Sequence, residues 1–275
     1  MPLLPRNWPL FWVVLTLLTL PILIGVIWLI LTAIFDQVHG LFPAGPPDPE
    51  NWRFLYEGSV GGRPPIWVAL KNSAVFAFTV AALELLIASM AAYAISRMKF
   101  PFRTPYLGMI LVLHAFPAVS LLIAIYYILR VMGLFDTLIG VILVKASLEL
   151  PLGIWLMKGF FDHLSWDMEM AALVDGASRW LVFWKVALPL VRPGLLALGT
   201  FALLSAWGEF ILPFTFIVSG KSWTLALYMQ SFFREAFVDY GLLAAVGLFY
   251  ALPVLILFLV GQRYLLNIYS GGVKG

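Results

Sequence analysis

From Leu10 to Phe35 the chain runs for about 26 residues without a charged side chain. At about 1.5 Å of rise per residue, a helix of that length crosses the hydrocarbon core of a bilayer with some tilt. A signal peptide is the competing explanation. Its apolar core is shorter, however, and it ends in an A-x-A type cleavage site that is missing here, so an anchoring span is expected. Comparable apolar stretches recur at 66–96, 105–129, 137–161, 194–218 and 240–264. The expected fold is therefore all-α and integral to the membrane, with six transmembrane helices and both termini on one side. With 63% hydrophobic and only 11% charged residues, the chain is too poor in polar groups to cover a soluble surface. It has 0 cysteines, which excludes disulfides and thiolate metal ligands. Beyond Arg97-Met98-Lys99 there is no basic run, so a nucleic-acid partner is not expected.

The basic residues set the orientation. Termini placed inside put Arg6, Arg97, Lys99, Arg103, Lys158, Arg179, Lys185, Arg192, Arg263 and Lys274 in or near the cytoplasm. Arg53, Arg63, Arg130, Lys221 and Arg234 then lie outside, and ten against five favours this arrangement. Lys71 and Lys145 lie near or within spans. The Pro- and Gly-rich loop 36–65 becomes extracytoplasmic, while the loop 164–193 and the tail 265–275 become cytoplasmic. A further outer segment, from Pro213 to Asp239, includes a possible amphipathic helix from Thr224 to Ala236.

The loop 164–193 is the longest interval outside the N-terminal half without a plausible span, and it is rich in charge. It reads as two short helices joined by a turn. Ser165 can cap the first, whose small apolar face is Met168, Ala171 and Ala172; Gly176 supplies a left-handed end, and Pro189 and Pro193 close the second. The order Ala171-Ala172, Asp175-Gly176-Ala177, Leu188-Pro189-Leu190 and Pro193-Gly194 resembles the EAA loop of membrane subunits of ATP-binding-cassette importers. That family's consensus is roughly E-A-A-x-x-D-G-A followed by P-x-x-x-P. Met170 stands where the family has its leading Glu, with Glu169 one place earlier.

Further segments narrow the resemblance to carbohydrate importers of the maltose-permease type. They are Lys71-Asn72-Ser73, Ala91-Ala92-Tyr93-Ala94-Ile95-Ser96-Arg97, Gly133-Leu134-Phe135-Asp136-Thr137, Pro151-Leu152-Gly153-Ile154-Trp155-Leu156 and Trp207-Gly208-Glu209-Phe210. The ending Gly271-Gly272-Val273-Lys274-Gly275 is similar to the tail of the smaller of the two permease subunits, which in that family reaches into the ATPase dimer. The resemblance implies a bacterial or archaeal cytoplasmic (inner) membrane and a path for a sugar or related solute. The implied partners are a second permease, two copies of an ATPase that carry ATP and Mg, an extracytoplasmic solute-binding protein and membrane lipid. It implies that Asp167, Met168, Glu169, Met170, Ala171, Ala172, Leu173, Asp175, Gly176 and Ala177 form the ATPase-coupling element, with Met168, Met170 and Leu173 filling an apolar groove. This chain itself would bind no cofactor and no metal and would hold no catalytic residue.

Ionisable groups at membrane depth are costly and mark candidate sites. Glu84, His114 and Glu209, with Trp207 as a ring platform, are candidates for a translocation path. Internal pairing, for instance Glu84 with Lys145, explains them equally well. Lys145 and Glu149 are four apart on one helix face and can pair. Ser219-Gly220-Lys221-Ser222 resembles the end of a phosphate-binding loop, but Thr215 occupies the first glycine position and no strand–helix unit surrounds it. An ion-coupled secondary transporter of a small polar solute is the alternative, with Glu84, His114, Lys145 and Glu149 as a relay. A membrane enzyme is disfavoured, since His39, His114 and His163 lie on different segments with no catalytic motif around them.

Overall fold

In hydrocarbon, backbone amides and carbonyls find no water, so an apolar run must satisfy them within itself as a helix. The computed structural model, which describes residues 8–234 and 238–271, follows that rule. Its helices are α1 (Trp8–Ile34), α2 (Ile66–Arg97), α3 (Arg103–Ala115), α4 (Leu122–Val131), α5 (Leu138–Asp162) and α6 (Trp166–Val174). They continue as α7 (Arg179–Val182), α8 (Leu188–Leu190), α9 (Arg192–Trp207), α10 (Ile211–Phe216), α11 (Leu225–Ser231) and α12 (Tyr240–Gly271). Two short strands, β1 (Val38–His39) and β2 (Phe42–Pro43), form an antiparallel hairpin. Glu235 and Ala236 of the expected outer helix, Phe237 after it, Arg6, and the end of the tail from Gly272 to Gly275 lie outside the described residues.

Among the described residues, four helices (within α1, α2, α5 and α12) are long and apolar enough to cross a membrane, and two bent pairs reach the same standard together. The expected third span, 105–129, is one such pair, with α3 and the helix after it meeting at 90°. Pro117 has no N–H to continue the ladder, and it forces Phe116 into an extended conformation (φ −72, ψ 128). The expected fifth span, 194–218, starts earlier and stops sooner. The helical stretch 179–190 meets α9 at a bend of 78°. Pro189 and Pro193 cannot donate to the carbonyls one turn behind them, so the chain widens into a π-turn at Phe183–Ala187 and kinks at Val191. At its far end α9 stops at Trp207, and the chain resumes as α10 only after Gly208–Phe210. By contrast, Pro151 and Pro253 sit inside continuous helices.

The chain divides into two compact units, Met1–Ile66 with Tyr228–Leu252, and Trp67–Leu227 with Pro253–Gly275. In the first, α1 is apolar on every side and largely exposed, as a lipid-facing helix is. The segment after it is anchored by specific contacts. The Trp52 indole donates to the Ala33 carbonyl (2.9 Å), and Phe54 is buried against Trp52 and Phe249. Arg53 pairs with Asp239 at 2.9 Å, and buried Arg63 donates to Ser231 Oγ (2.7 Å) beneath the Phe232 ring.

In the second unit, Ala88, Ala92 and Tyr93 of α2 pack on Ile154, Met157 and Phe161 of α5, with Phe183, Ala187, Val191 and Leu198 closing the cluster. Small residues let these helices approach closely. A Cβ on Gly194 would lie 2.5 Å from the Phe160 ring, and one on Gly153 would lie 2.6 Å from Glu84 Oε1. The broken stretch 208–225 is stitched to its neighbours by side chains. Asn72 donates to the carbonyls of Lys221 and Trp223 (2.8 and 2.9 Å), and Ser73 Oγ accepts from the Leu225 amide (2.8 Å). Asp136, in a left-handed conformation at φ 60, accepts from the amides of Val218 and Ser219 at 2.7 and 2.8 Å.

Partial burial pushes the Asp136 carboxyl up, but the Ser219 and Val218 amide donors outweigh it and hold it below the ordinary aspartate value. A carboxyl lowered by folding contributes stability above its unfolded pKa, and that contribution is lost as pH falls through the folded value. Asp136→Ala should therefore cost about 1–3 kcal/mol at neutral pH by removing the acceptor of two amides. Asp136→Asn, which keeps an acceptor and tolerates the left-handed turn, should cost less, and its deficit should shrink as pH drops through the acidic range. Thermal unfolding of the chain in detergent measures both, and equal midpoints for all three proteins at neutral pH would refute the stitch.

Candidate functional site

The charged loop after α5 folds as α6 followed by the kinked α7–α8 stretch. Ser165 Oγ accepts from the Asp167 amide (3.3 Å), which starts α6. At its end Gly176 takes φ +88, its amide donates to Leu173 O, and the Ala177 amide donates to Ala172 O (3.1 and 3.0 Å). This pair of bonds satisfies the last carbonyls of α6 and needs a residue without a Cβ at position 176.

Helical periodicity divides α6 into two faces. Asp167, Met168, Met170, Ala171 and Val174 are exposed, as are Asp175 and Gly176 beyond the helix. Glu169 points inward at 1% exposure, and Ala172, Leu173 and Ala177 are half-buried. Of the expected groove-filling set, Met168 and Met170 are exposed and Leu173 is half-buried, while Val174, at 82% exposure, also lies on the outward face. The spacing 167, 170, 171, 174 carried that signal in the sequence.

Glu169 is held by α2. Arg97 Nε donates to Glu169 Oε1 (2.7 Å), and the Tyr93 hydroxyl donates to Oε2 (2.9 Å). Arg97 Nη2 also donates to the Leu164 carbonyl (2.9 Å), and its guanidinium lies 5.3 Å from the Trp166 ring. Tyr93 is itself fixed between the rings of Phe161 and Phe183. Tyr93 and Arg97 stood in the sequence only as part of a resembling segment and as a marker of sidedness, because nothing local ties them to Glu169 some seventy positions on.

The intramembrane candidates separate. A cavity of about 260 Å³ is lined by His114, Lys145, Glu149 and Glu209, among apolar residues such as Phe116 and Leu148. Glu84 and Trp207 are both buried and are not among its lining residues. Lys145 does not pair with Glu84. Its Nζ lies 2.9 Å from Glu149 Oε1 and 2.8 Å from Glu209 Oε2, so one ammonium joins α5 to the break after α9. Ser205 donates to the same Glu149 oxygen, and Glu209 Oε1 accepts from the Leu212 amide (3.1 Å). The Glu84 carboxyl faces that of Glu149, and Gly153 is the residue that leaves room for it.

Over residues 84–267 the chain matches the family described as the binding-protein-dependent transport system inner membrane component. It is 31% identical to the trehalose transport system permease protein SugB of Mycobacterium tuberculosis, over 82% of each chain. It is also 31% identical to the maltose/maltodextrin transport system permease protein MalG of Salmonella typhimurium, over 82% of this chain and 81% of that one. Its fold is similar to a chain in the crystal structure of a bacterial ABC transporter involved in the import of the acidic polysaccharide alginate. That match has a TM-score of 0.80 at 21% identity and covers 96% of this chain and 99% of that one. A multi-pass helical chain that matches along well over half its length belongs to the family of binding-protein-dependent transport system inner membrane components.

Proposed function

We propose that this chain is the smaller of two permease subunits that together form the solute path of an ATP-driven carbohydrate importer. The bent pair around Pro117 counts as one span and α9 with α10 as another, which gives six, with both termini and the loop 164–193 in the cytoplasm. The basic residues support that orientation. Partners are a second permease, two copies of an ATPase carrying ATP and Mg, and an extracytoplasmic solute-binding protein that meets the loop 36–65. This chain holds no catalytic residue, metal or cofactor of its own. Permeases of trehalose and maltose systems among its relatives support a sugar as solute and argue against the ion-coupled alternative.

The observation that carries the reading is α6. It is a short capped helix whose outward face is Met170, Ala171 and Val174, and whose inward face is bolted to α2. Methionine adapts to the contours of a groove, which suits a helix that docks in another protein. Closure of the ATPase dimer on ATP draws the docking helices of the two permeases together. The helices above follow as rigid bodies, exchanging inward for outward opening. On this chain the solute passes the cavity at His114 and Glu209, beside Lys145 and Glu149.

Affinity purification from the native membrane with mass spectrometry of bound proteins tests the assignment. A Walker-motif ATPase and a second permease are expected. A lone chain that is active in liposomes under an ion gradient would refute it. Val174→Glu places a charge on the exposed docking face without touching the core, and should lower ATPase recovery about tenfold while the chain inserts normally. Gly176→Pro, which cannot adopt φ +88, should do the same by unravelling the end of α6. Full ATPase recovery by both variants would exclude α6 as the docking element.

Lys145→Met leaves Glu149 and Glu209 without their cation and should destabilise the chain by about 3–5 kcal/mol, measured as thermal unfolding in detergent. An unchanged midpoint with a raised KM for solute would instead make Lys145 a solute contact.

A further inference from the structure

The cytoplasmic end of α2 carries a device that the docking reading leaves unexplained. Both oxygens of Glu169 are taken by α2 residues one turn apart, Arg97 at 2.7 Å and Tyr93 at 2.9 Å. The Arg97 side chain is 7% exposed and that of Glu169 1%, so the pair is screened from water and from any partner. Arg97 donates as well to the Leu164 carbonyl at the entry to α6. Beside it, Ser96 donates to Asp162 Oδ1 (2.6 Å) at the end of α5, where Lys158 also pairs with Asp162. The last turn of α2 therefore grips the end of α5, the start of α6 and the middle of α6 at once.

We propose that Arg97 is a positioning residue for energy coupling: its buried pair with Glu169 makes α6 and α2 one rigid body, so that displacement of α6 by the ATPase reaches the membrane without slack. The proposal rests on α6 being the docking helix. It assigns Glu169 to the inside of the permease and leaves contact with the ATPase to the outward residues. A guanidinium suits the task better than an ammonium, because its planar fork fixes direction as well as distance to a carboxylate and a carbonyl together. The Tyr93 ring, wedged between Phe161 and Phe183, keeps the second oxygen of Glu169 in register with the core. A buried pair of this kind contributes little net stability, and its effect is geometric specificity.

The chain has 0 cysteines, so paired labels can be placed without removing native ones. Exposed Met98 at the end of α2 and exposed Asp167 on α6 are replaced by cysteine and spin-labelled in the complex purified with its ATPase. In the otherwise unsubstituted complex, the distance between the labels should stay constant when ATP and vanadate are added. In Arg97→Gln/Glu169→Gln, which leaves no unmatched charge, the distance should shift or broaden by on the order of 5 Å, about one helical turn. ATP hydrolysis should become uncoupled from opening of the permease by about tenfold, with the ATPase still bound. Arg97→Lys should keep the ATPase and give an intermediate spread.

A constant distance in the double variant overturns the positioning role and leaves the importer assignment standing. So does loss of the ATPase from Glu169→Gln but not from Arg97→Gln, which would make Glu169 a direct contact, and so does loss of the ATPase from the double variant. If the unsubstituted chain brings down no ATPase, the importer assignment itself fails and the proposal fails with it.

Discussion

Every part of this fold answers to one requirement, that a backbone group at membrane depth must find its partner within the protein. Continuous helices meet it alone, and most of the chain does so. Where the helix stops, a side chain from a neighbouring helix or loop takes over. The stretch 208–225 shows this best. Glu209 accepts from the Leu212 amide, Asp136 from Val218 and Ser219, Ser73 from Leu225, and Asn72 donates to Lys221 and Trp223. These partners come from Lys71-Asn72-Ser73, Gly133–Thr137 and Trp207–Phe210, three of the segments in which the sequence resembles its family. Their role is to satisfy the backbone where the helix is interrupted.

Buried charge is handled by the same economy. Lys145 is shared by two carboxylates from different parts of the chain, and Glu169 is shared by an arginine and a tyrosine of one helix. Each cluster joins elements far apart in sequence at a point where small residues have already brought helices close. Such clusters hold geometry more than they add stability, since the cost of desolvating the charges offsets most of their attraction. In the proposed function, where helices rock against one another as rigid bodies, fixed geometry inside each body is the property that matters.

The helical class and the existence of the long apolar helices were legible because hydropathy over a span-length window is a local property. The left-handed turn at Gly176 was legible too, since a glycine after a short capped helix leaves few alternatives. Pro117, like Pro151 and Pro253, marked a place where a span breaks or kinks, but the breaks at Val191 and Gly208 were not placed. Proline announces a distortion but does not decide between a gentle bend, as at Pro151 and Pro253, and a corner, as at Pro117. That choice depends on whether neighbours can satisfy the freed carbonyls. The partner of Glu169 was hidden for a related reason. Its acidic character suggested an outward contact, whereas its position, two residues after the exposed Asp167 and one before the exposed Met170, turns it inward on a helix of 3.6 residues per turn.

The two charge clusters also divide the labour. Both lie in the unit that runs from Trp67 to Leu227. One stands where α6 meets α2, and the other lines the cavity at His114 and Glu209; in the proposed function the first concerns how force enters the chain and the second the path it must open. They are bridged by α5, which carries Lys145 and Glu149 toward one end and Lys158 and Asp162 at the other. That helix is continuous from Leu138 to Asp162 despite Pro151, and close-packed on α2 through Gly153 and Ala88. If α6 is the docking element, as proposed, a continuous and close-packed α5 would carry its displacement to the cavity, because a helix that flexed at its proline would absorb the stroke on the way.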